Sequence, residues 1–225
     1  MPSIAALAGL LTAVCWGLTP VISKRGFTHG GNPMIAALTF ISTGLVLLWG
    51  ATAISAGFTG FAPSLSRFEY GIFLTSGLVG TALGRICNFT GIDRVGASIN
   101  SAIVSANPLI ATGLAYVFLE ELISLVQAIG VVAVVVGLVI LSSSKGGDRS
   151  GWARRDLLFS FGAATAFGIG AVLRRFGLTT TPATPLEGAA LNETAAFVGL
   201  VGYIIARRRT FLEPLSIRGY LYFVG

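Results

Sequence analysis

A few charged and amide side chains interrupt otherwise apolar runs of this sequence. Arg85 and Asn88 stand three residues apart in one run, and Asn192 and Glu193 are adjacent in another. Residues three apart share one face of a helix. A charge buried in hydrocarbon costs about 3 kcal/mol and is usually paired or functional. These four residues are therefore candidates for binding a polar solute inside a membrane.

Arg85 and Glu193 are predicted to pair. Each lies about eight residues, or roughly 12 Å, from one end of its run, counted from opposite surfaces. In a hydrocarbon core of about 30 Å the two depths differ by about 6 Å, which two long side chains can span. We expect an Arg85–Glu193 ion pair in the wall of a cavity. The alternatives are snorkelling of Arg85 toward the headgroups and, more weakly, a proton-coupling role for Glu193.

Two further runs carry polar candidates. Asn100 and Asn107 are seven residues apart and fall on one helical face, and Pro108 frees a backbone carbonyl of the kind transporters use for substrate contacts. The alternative is that these side chains hydrogen-bond neighbouring helices. Trp16 and Thr19 in the first run belong either to a cavity wall or to the membrane interface. In the second case Trp16 is an interface aromatic residue and Pro20 kinks the helix beside it.

The composition indicates a membrane protein. Of 225 residues, 54% are apolar and 11% are charged, against about 25% charged in soluble domains. Several apolar runs reach about 20 residues, the length of a membrane-spanning helix. We predict an all-α multi-spanning fold, with an eighth span beginning near Gly219. The seven complete spans are Ser3–Ser23, Pro33–Ile54, Tyr70–Gly91, Ala97–Leu119, Leu122–Ser142, Asp156–Arg174 and Pro185–Ala206.

The later part of the sequence is a weak copy of the earlier part. Three landmarks recur at offsets of 151, 152 and 150 residues, from 168 − 17, 185 − 33 and 220 − 70. The matched residues are Gly17 with Gly168, Pro33 with Pro185, and Tyr70 with Tyr220. We divide the chain into a first five-helix repeat (1–144), a linker (145–155) and an incomplete second repeat (156–225). Small residues at 80, 84, 162, 166 and 170 are predicted to be packing faces.

Five spans before the linker make the second copy inverted. Inverted repeats are typical of secondary transporters, whose substrate site lies near the membrane midplane where the repeats meet. A second copy as long as the first predicts ten spans in about 295 residues, so we expect this sequence to be truncated after about seven spans.

The basic residues give an orientation. Odd-numbered loops hold 11 of the 15 Lys and Arg residues, even loops hold 3, and Arg85 lies within a span. The positive-inside rule then puts the N-terminus outside the cell. The same rule explains the net charge of +6, so this charge does not indicate a nucleic-acid-binding protein.

Four short motifs, taken in order, resemble one family. Together they are similar to the EamA branch of the drug/metabolite transporter superfamily, over residues 3–142 and more loosely over 156–225. The motifs are Cys15-Trp16-Gly17, Gly80-Thr81-Ala82-Leu83-Gly84, Asn107-Pro108-Leu109 and Glu121-Leu122-Ile123-Ser124. The resemblance implies a ten-helix fold of two inverted five-helix repeats and transport of small solutes by alternating access.

The sequence departs from the family pattern in three ways. The family often has an aromatic residue where Arg85 stands and an arginine where Phe40 stands. It usually has its N-terminus in the cytoplasm, whereas the charge distribution here favours the reverse.

The expected function is export of a small metabolite, amino-acid-like or otherwise polar or amphipathic, by a multi-pass protein of the cell membrane. The expected partners are the lipid bilayer and the solute, without nucleic acid, and the protein is expected to be a monomer or homodimer. No cofactor, metal or enzymatic activity is expected, since His29 is the only histidine and no His-based triad or metal cluster can form on it. The alternative is a non-transporting scaffold or lipid-handling partner, and it is disfavoured if Arg85, Asn88, Asn107, Asn192 and Glu193 converge on one cavity.

Overall fold

The computed structural model describes residues 2–56, 65–119, 124–143, 151–206 and 222–223. Within these ranges the chain forms nine α-helices and no strand. Long apolar runs favour helices here because a helix satisfies its own backbone hydrogen bonds. The helices are α1 (Pro2–Thr28), α2 (Pro33–Ala56), α3 (Arg67–Ser76), α4 (Gly84–Val95), α5 (Ala97–Val104), α6 (Asn107–Leu119), α7 (Leu125–Ser143), α8 (Leu157–Thr180) and α9 (Pro185–Ala206).

Five helical stretches are long and apolar enough to cross a membrane, and they correspond to the second, third, fourth, sixth and seventh predicted spans. Their bounds are Pro33–Ser55, Arg67–Val95, Ala97–Phe118, Arg154–Thr180 and Pro185–Ala206. Helices α1 and α7, of 27 and 19 residues, coincide with the first and fifth predicted spans. The chain is therefore all-α and multi-helical, as predicted. The start of the predicted eighth span at Gly219 and the first three residues of the Glu121 motif lie outside the described residues.

The third span is continuous but changes its winding in the middle. A π-helix of seven residues, Gly77–Leu83, joins α3 to α4. It begins and ends on residues with ordinary right-handed helical torsions, so the span widens without breaking. Wide turns of this kind are frequent at functional sites, and Arg85 lies two residues after the end of this one.

The fourth span is broken into two helices. Helix α5 ends at Val104 and α6 begins at Asn107, and Pro108 occupies the first turn of α6, where its missing N–H leaves no helical bond unmade. The predicted break at Pro108 is confirmed, and it puts Asn107 at a helix start in the middle of the span.

Helices from the two sides of the linker pack tightly together. Helix α8 lies against α4, α6 and the π-helix, and α9 lies against α2 and α3. Gly80 and Gly170 bring the backbones of the third and sixth spans together, because a Cβ on Gly80 would stand 2.6 Å from the Cα of Gly170. The hydroxyl of Ser76 donates to the Gly170 carbonyl at 3.0 Å. The predicted packing role of Gly80 and Gly170 is confirmed.

The outer surface of the bundle is apolar. Large side chains such as Leu10, Leu47 and Val117 are about two-thirds exposed. Such a surface matches lipid, which solvates apolar side chains as well as a protein core does. The buried core lies between α2, α4 and α9, around Ile41, Phe89 and Leu200.

Candidate functional site

A cavity of about 290 Å³ lies where helices from both sides of the linker meet. We call it the central cavity. Its walls come from α1, α2, the π-helix, α4, α6, α8 and α9, so no helix pair encloses it alone. Two aromatic rings, Trp16 and Phe167, stand in the wall. The polar and charged residues that line it are Thr81, Arg85, Asn107, Arg174, Asn192 and Glu193.

Arg85 is held in this wall by aromatic rings. Its guanidinium carbon lies 3.8 Å from the ring centroid of Phe40, 4.8 Å from that of Trp16 and 5.7 Å from that of Phe167. We call these three rings the aromatic cage. Ring faces attract a cation through their quadrupole, by about 2 kcal/mol or more when desolvated. Arg85 is only 8% exposed, so the cage fixes a charge deep in the bundle.

The two sequence positions that depart from the family pattern are in direct contact. Phe40 stands where the family often has an arginine, and Arg85 stands where it often has an aromatic residue. In this protein the guanidinium of Arg85 lies over the ring of Phe40. This contact joins α2 to α4.

Glu193 faces the same cavity but does not pair with Arg85. No nitrogen of Arg85 comes within 4 Å of the Glu193 carboxylate, and the predicted ion pair is wrong. The carboxyl carbon of Glu193 lies against α2, where a Cβ on Gly44 would stand 3.4 Å from it. The adjacent Thr194 accepts a hydrogen bond from the Trp49 indole at 2.9 Å. These contacts direct Glu193 toward α2 and leave its Oε2 buried without a hydrogen-bond partner.

Arg174 also lines the central cavity, and sequence reasoning missed it. The predicted sixth span ended at the first charge, but α8 continues to Thr180. Arg174 therefore stands about 9 Å inside the helix end. The signal available in the sequence was the apolar pattern beyond Arg174, which resumes at Phe176.

Asn192 and Asn107, both predicted site residues, also line the central cavity. The amide nitrogen of Asn192 donates to the hydroxyl of Thr81 on the π-helix at 2.6 Å. Its amide oxygen is buried and has no partner, although the side chain is only 3% exposed. Asn192 is thus positioned by one bond and keeps an acceptor free.

Asn88 and Asn100 lie elsewhere. Asn100 donates to the Oδ1 of Asn88 at 2.7 Å, and Ser160 donates to the Oδ1 of Asn100 at 2.8 Å. We call these three residues the polar layer. It joins α4, α5 and α8, and Gly91 is required beside it, because a Cβ there would overlap Asn100. The expected convergence on one cavity holds for Arg85, Asn107, Asn192 and Glu193, and fails for Asn88.

The last predicted site residue, Thr19, lies beside a different space. Its hydroxyl donates to the Cys15 carbonyl one turn earlier, at 2.9 Å. It lines a smaller cavity of about 70 Å³ together with Ser23 and Phe40. Trp16, one turn away on α1, faces the central cavity instead.

An ion pair lies beyond the polar layer. Arg94, at the end of α4, donates to Asp156, just before α8, at 2.9 Å. Along α4 the order is Arg85 in the cavity, Asn88 in the polar layer about 5 Å further on, and Arg94 about 9 Å beyond that. Polar contacts thus connect α4 to α8 on one side of the central cavity.

Neither cysteine forms a disulfide in the described residues, where Cys15 and Cys87 are free thiols. In the same ranges no three His, Cys, Asp or Glu side chains stand together as ligands for a metal ion.

The fold and this cavity define an integral membrane protein of several apolar helices with a charged internal site. Residues 3–143 match the family model described as the EamA-like transporter family, and the chain belongs to that family. It is 30% identical over 139 residues to an uncharacterized transporter of Clostridium kluyveri, a match that covers 60% of this chain and 42% of that protein. The chain spans about two fifths of the length of this curated relative.

Proposed function

We propose that this protein is a secondary transporter that exports a small metabolite across the cell membrane by alternating access, with the central cavity as its substrate site. The observation that carries the proposal is the convergence of Arg85, Asn107 and Glu193 with Arg174 and Asn192 on one cavity between helices from both sides of the linker. Polar groups in a bilayer interior are costly, so their convergence favours a solute pathway over a lipid-facing surface.

The geometry also fits the way transporters of inverted-repeat type bind solutes. Two of the five candidate spans are irregular in the middle of the bundle, one as a π-helix and the other as a break before Asn107. Irregular backbone at membrane depth occurs where it lines a cavity, and Thr81 and Asn107 from these two segments both line this one. The cavity's volume suits a metabolite and not a polymer or a folded partner.

The test measures both the efflux of metabolites and the accessibility of the central cavity from each side of the membrane. The full-length gene product is reconstituted in liposomes, and efflux of a panel of labelled metabolites is measured. In a background without native cysteines, Asn107→Cys is exposed to a membrane-impermeant maleimide from each side in turn. We expect labelling from both sides, and protection by a transported solute.

The control is Phe161→Cys, since Phe161 is more than half exposed on the apolar outer surface of α8. It should resist the impermeant reagent from either side. Labelling of Asn107→Cys from one side only, with no solute moved, would contradict the proposal and favour a non-transporting scaffold.

A further inference from the structure

Two of the three guanidinium nitrogens of Arg85, Nε and Nη1, have no hydrogen-bond acceptor among the described residues. The aromatic cage covers the faces of the guanidinium, with Phe40 closest at 3.8 Å. Hydrogen bonds from a guanidinium lie in its plane, and Nε and Nη1 are buried there without a partner. The side chain is more than nine-tenths buried and lines the central cavity. The cage therefore holds the cation without satisfying these two donors.

Unsatisfied donors of this kind are costly. Leaving a buried polar group unpaired costs about 1–3 kcal/mol, and more when the group is charged. Cation–π contacts offset the burial of the charge but do not replace in-plane acceptors. An acceptor that enters the cavity would recover this energy, and a carboxylate would recover most, because bonds between charged partners are about twice as strong as neutral ones.

The charges around the cavity favour the same kind of solute. Two arginines, Arg85 and Arg174, and one glutamate, Glu193, line it among the described residues, so the formal charge is +2 − 1 = +1. Glu193 forms no ion pair within 4 Å of Arg85, and its single negative charge acts at longer range on both arginines. An uncompensated charge in a low-dielectric cavity is unfavourable. A bound monoanion removes it, whereas a phosphate ester, with about two negative charges, replaces it with the opposite charge.

We propose that the central cavity selects small organic monocarboxylates, with the carboxylate accepting hydrogen bonds from Arg85 and Arg174 contributing the second positive charge. This substrate class rests on the proposed transport function. Arg85 is the principal specificity residue because its donors are the buried and unpartnered ones.

The experiment compares four solutes that share a branched apolar tail and differ in charge. Isocaproate is an anion, isocaproamide is its neutral amide, isoamylamine is a cation, and leucine is the zwitterion. Binding to the purified full-length protein is measured by calorimetry, and flux is measured in liposomes. We expect isocaproate to bind at least about tenfold more tightly than isocaproamide, as a charge-assisted bond requires, and isoamylamine to bind weakest.

Variants separate recognition from folding. Arg85→Lys keeps a cation for the aromatic cage but loses the planar donors, and should weaken isocaproate binding about tenfold while the protein still folds. Arg174→Gln, a change at a less buried position, should weaken it several-fold. Arg175→Gln is the matched control, since Arg175 is the exposed neighbour of Arg174, and should leave binding unchanged.

Three outcomes would overturn the proposal. They are an amide or amine that binds as tightly as the acid, an Arg85→Lys variant that binds the acid as well as the native protein does, and a failure of all four solutes to bind. Flux of another metabolite in any of these cases would leave the proposed transport function intact. Absence of flux for every metabolite tested would contradict the transport function itself.

Discussion

The polar layer and the central cavity lie about 5 Å apart along α4, and both consist of polar side chains in an apolar bundle. In the polar layer, Asn88, Asn100 and Ser160 bond to one another in a chain. In the cavity, Arg85, Asn192 and Glu193 keep buried donors or acceptors without partners. Burial alone therefore does not distinguish a structural polar group from a binding group in this protein. Under the proposal made above, the state of the hydrogen bonds does, since satisfied groups stabilise packing and unsatisfied groups are left to bond a solute.

The strongest test of this comparison exchanges Arg85 with Phe40. Arg85→Phe alone removes a charged donor from the cavity and should lower isocaproate affinity by about 10- to 100-fold, the equivalent of 1.5–3 kcal/mol for hydrogen bonds to charged groups. Adding Phe40→Arg returns a cation to the same contact from α2, so the double variant should recover most of the affinity. Binding calorimetry on the three proteins measures the loss and the recovery.

If the double variant binds as poorly as the single one, an arginine on α2 cannot replace the arginine on α4 in binding the solute. Thermal melting of the same preparations shows whether the aromatic cage has reformed.

A smaller effect is expected in the polar layer, and it concerns stability. Asn100→Leu leaves Asn88 without a donor and Ser160 without an acceptor, and should lower the free energy of unfolding by about 1–2 kcal/mol, near the upper limit for such bonds between membrane helices. Denaturant unfolding in detergent measures the loss. The preference for isocaproate over its amide should not change.

The matched control on the same span is Ser105→Ala. Its hydroxyl donates only to the Ser101 carbonyl one turn earlier, at 2.7 Å, so its loss should alter stability little. A changed solute preference in Asn100→Leu would show that the polar layer takes part in recognition.

The smallest effect is expected at Glu193. Glu193→Gln removes the one negative charge among the described residues lining the cavity and raises its formal charge to +2. Isocaproate should then bind roughly three to ten times more tightly, as expected for removal of a like charge some ångströms from the ligand. Equilibrium binding is the measurement, since flux also depends on release. Weaker binding in this variant would mean that the carboxylate holds the solute.

The helical spans were predictable from the sequence because bilayer thickness and backbone hydrogen bonding leave few alternatives to an apolar run. The break before Asn107 was also predictable, because proline restricts the backbone locally. The π-helix was not, since its wide turn accompanies the tertiary contact of Gly80 with Gly170 and no local pattern encodes it.

The candidate site was predictable in part. Helical rise predicted that Arg85 and Glu193 lie at similar depths in the membrane. It does not predict the direction in which each side chain points around its helix axis. Arg85 turns toward Phe40 and Glu193 toward Gly44, so the expected ion pair does not form. Asn88 and Asn107 are the same residue type in adjacent spans, and only the amide of Asn100, which donates to Asn88, separates the structural role from the cavity-lining one.

The contact of Gly80 with Gly170 has a mechanical consequence. Helices that interlock through long side chains must unpack ridges from grooves before one can turn on the other. Here the two backbones touch without side chains between them, so rotation about this point separates no interlocked side chains at the glycine contact itself. Translation along either helix would instead bring residues one turn away, such as Ser76 and Ala166, into the contact in place of a glycine. The crossing thus permits tilting of the third and sixth spans against each other while fixing their register, directly beside the cavity that holds Arg85.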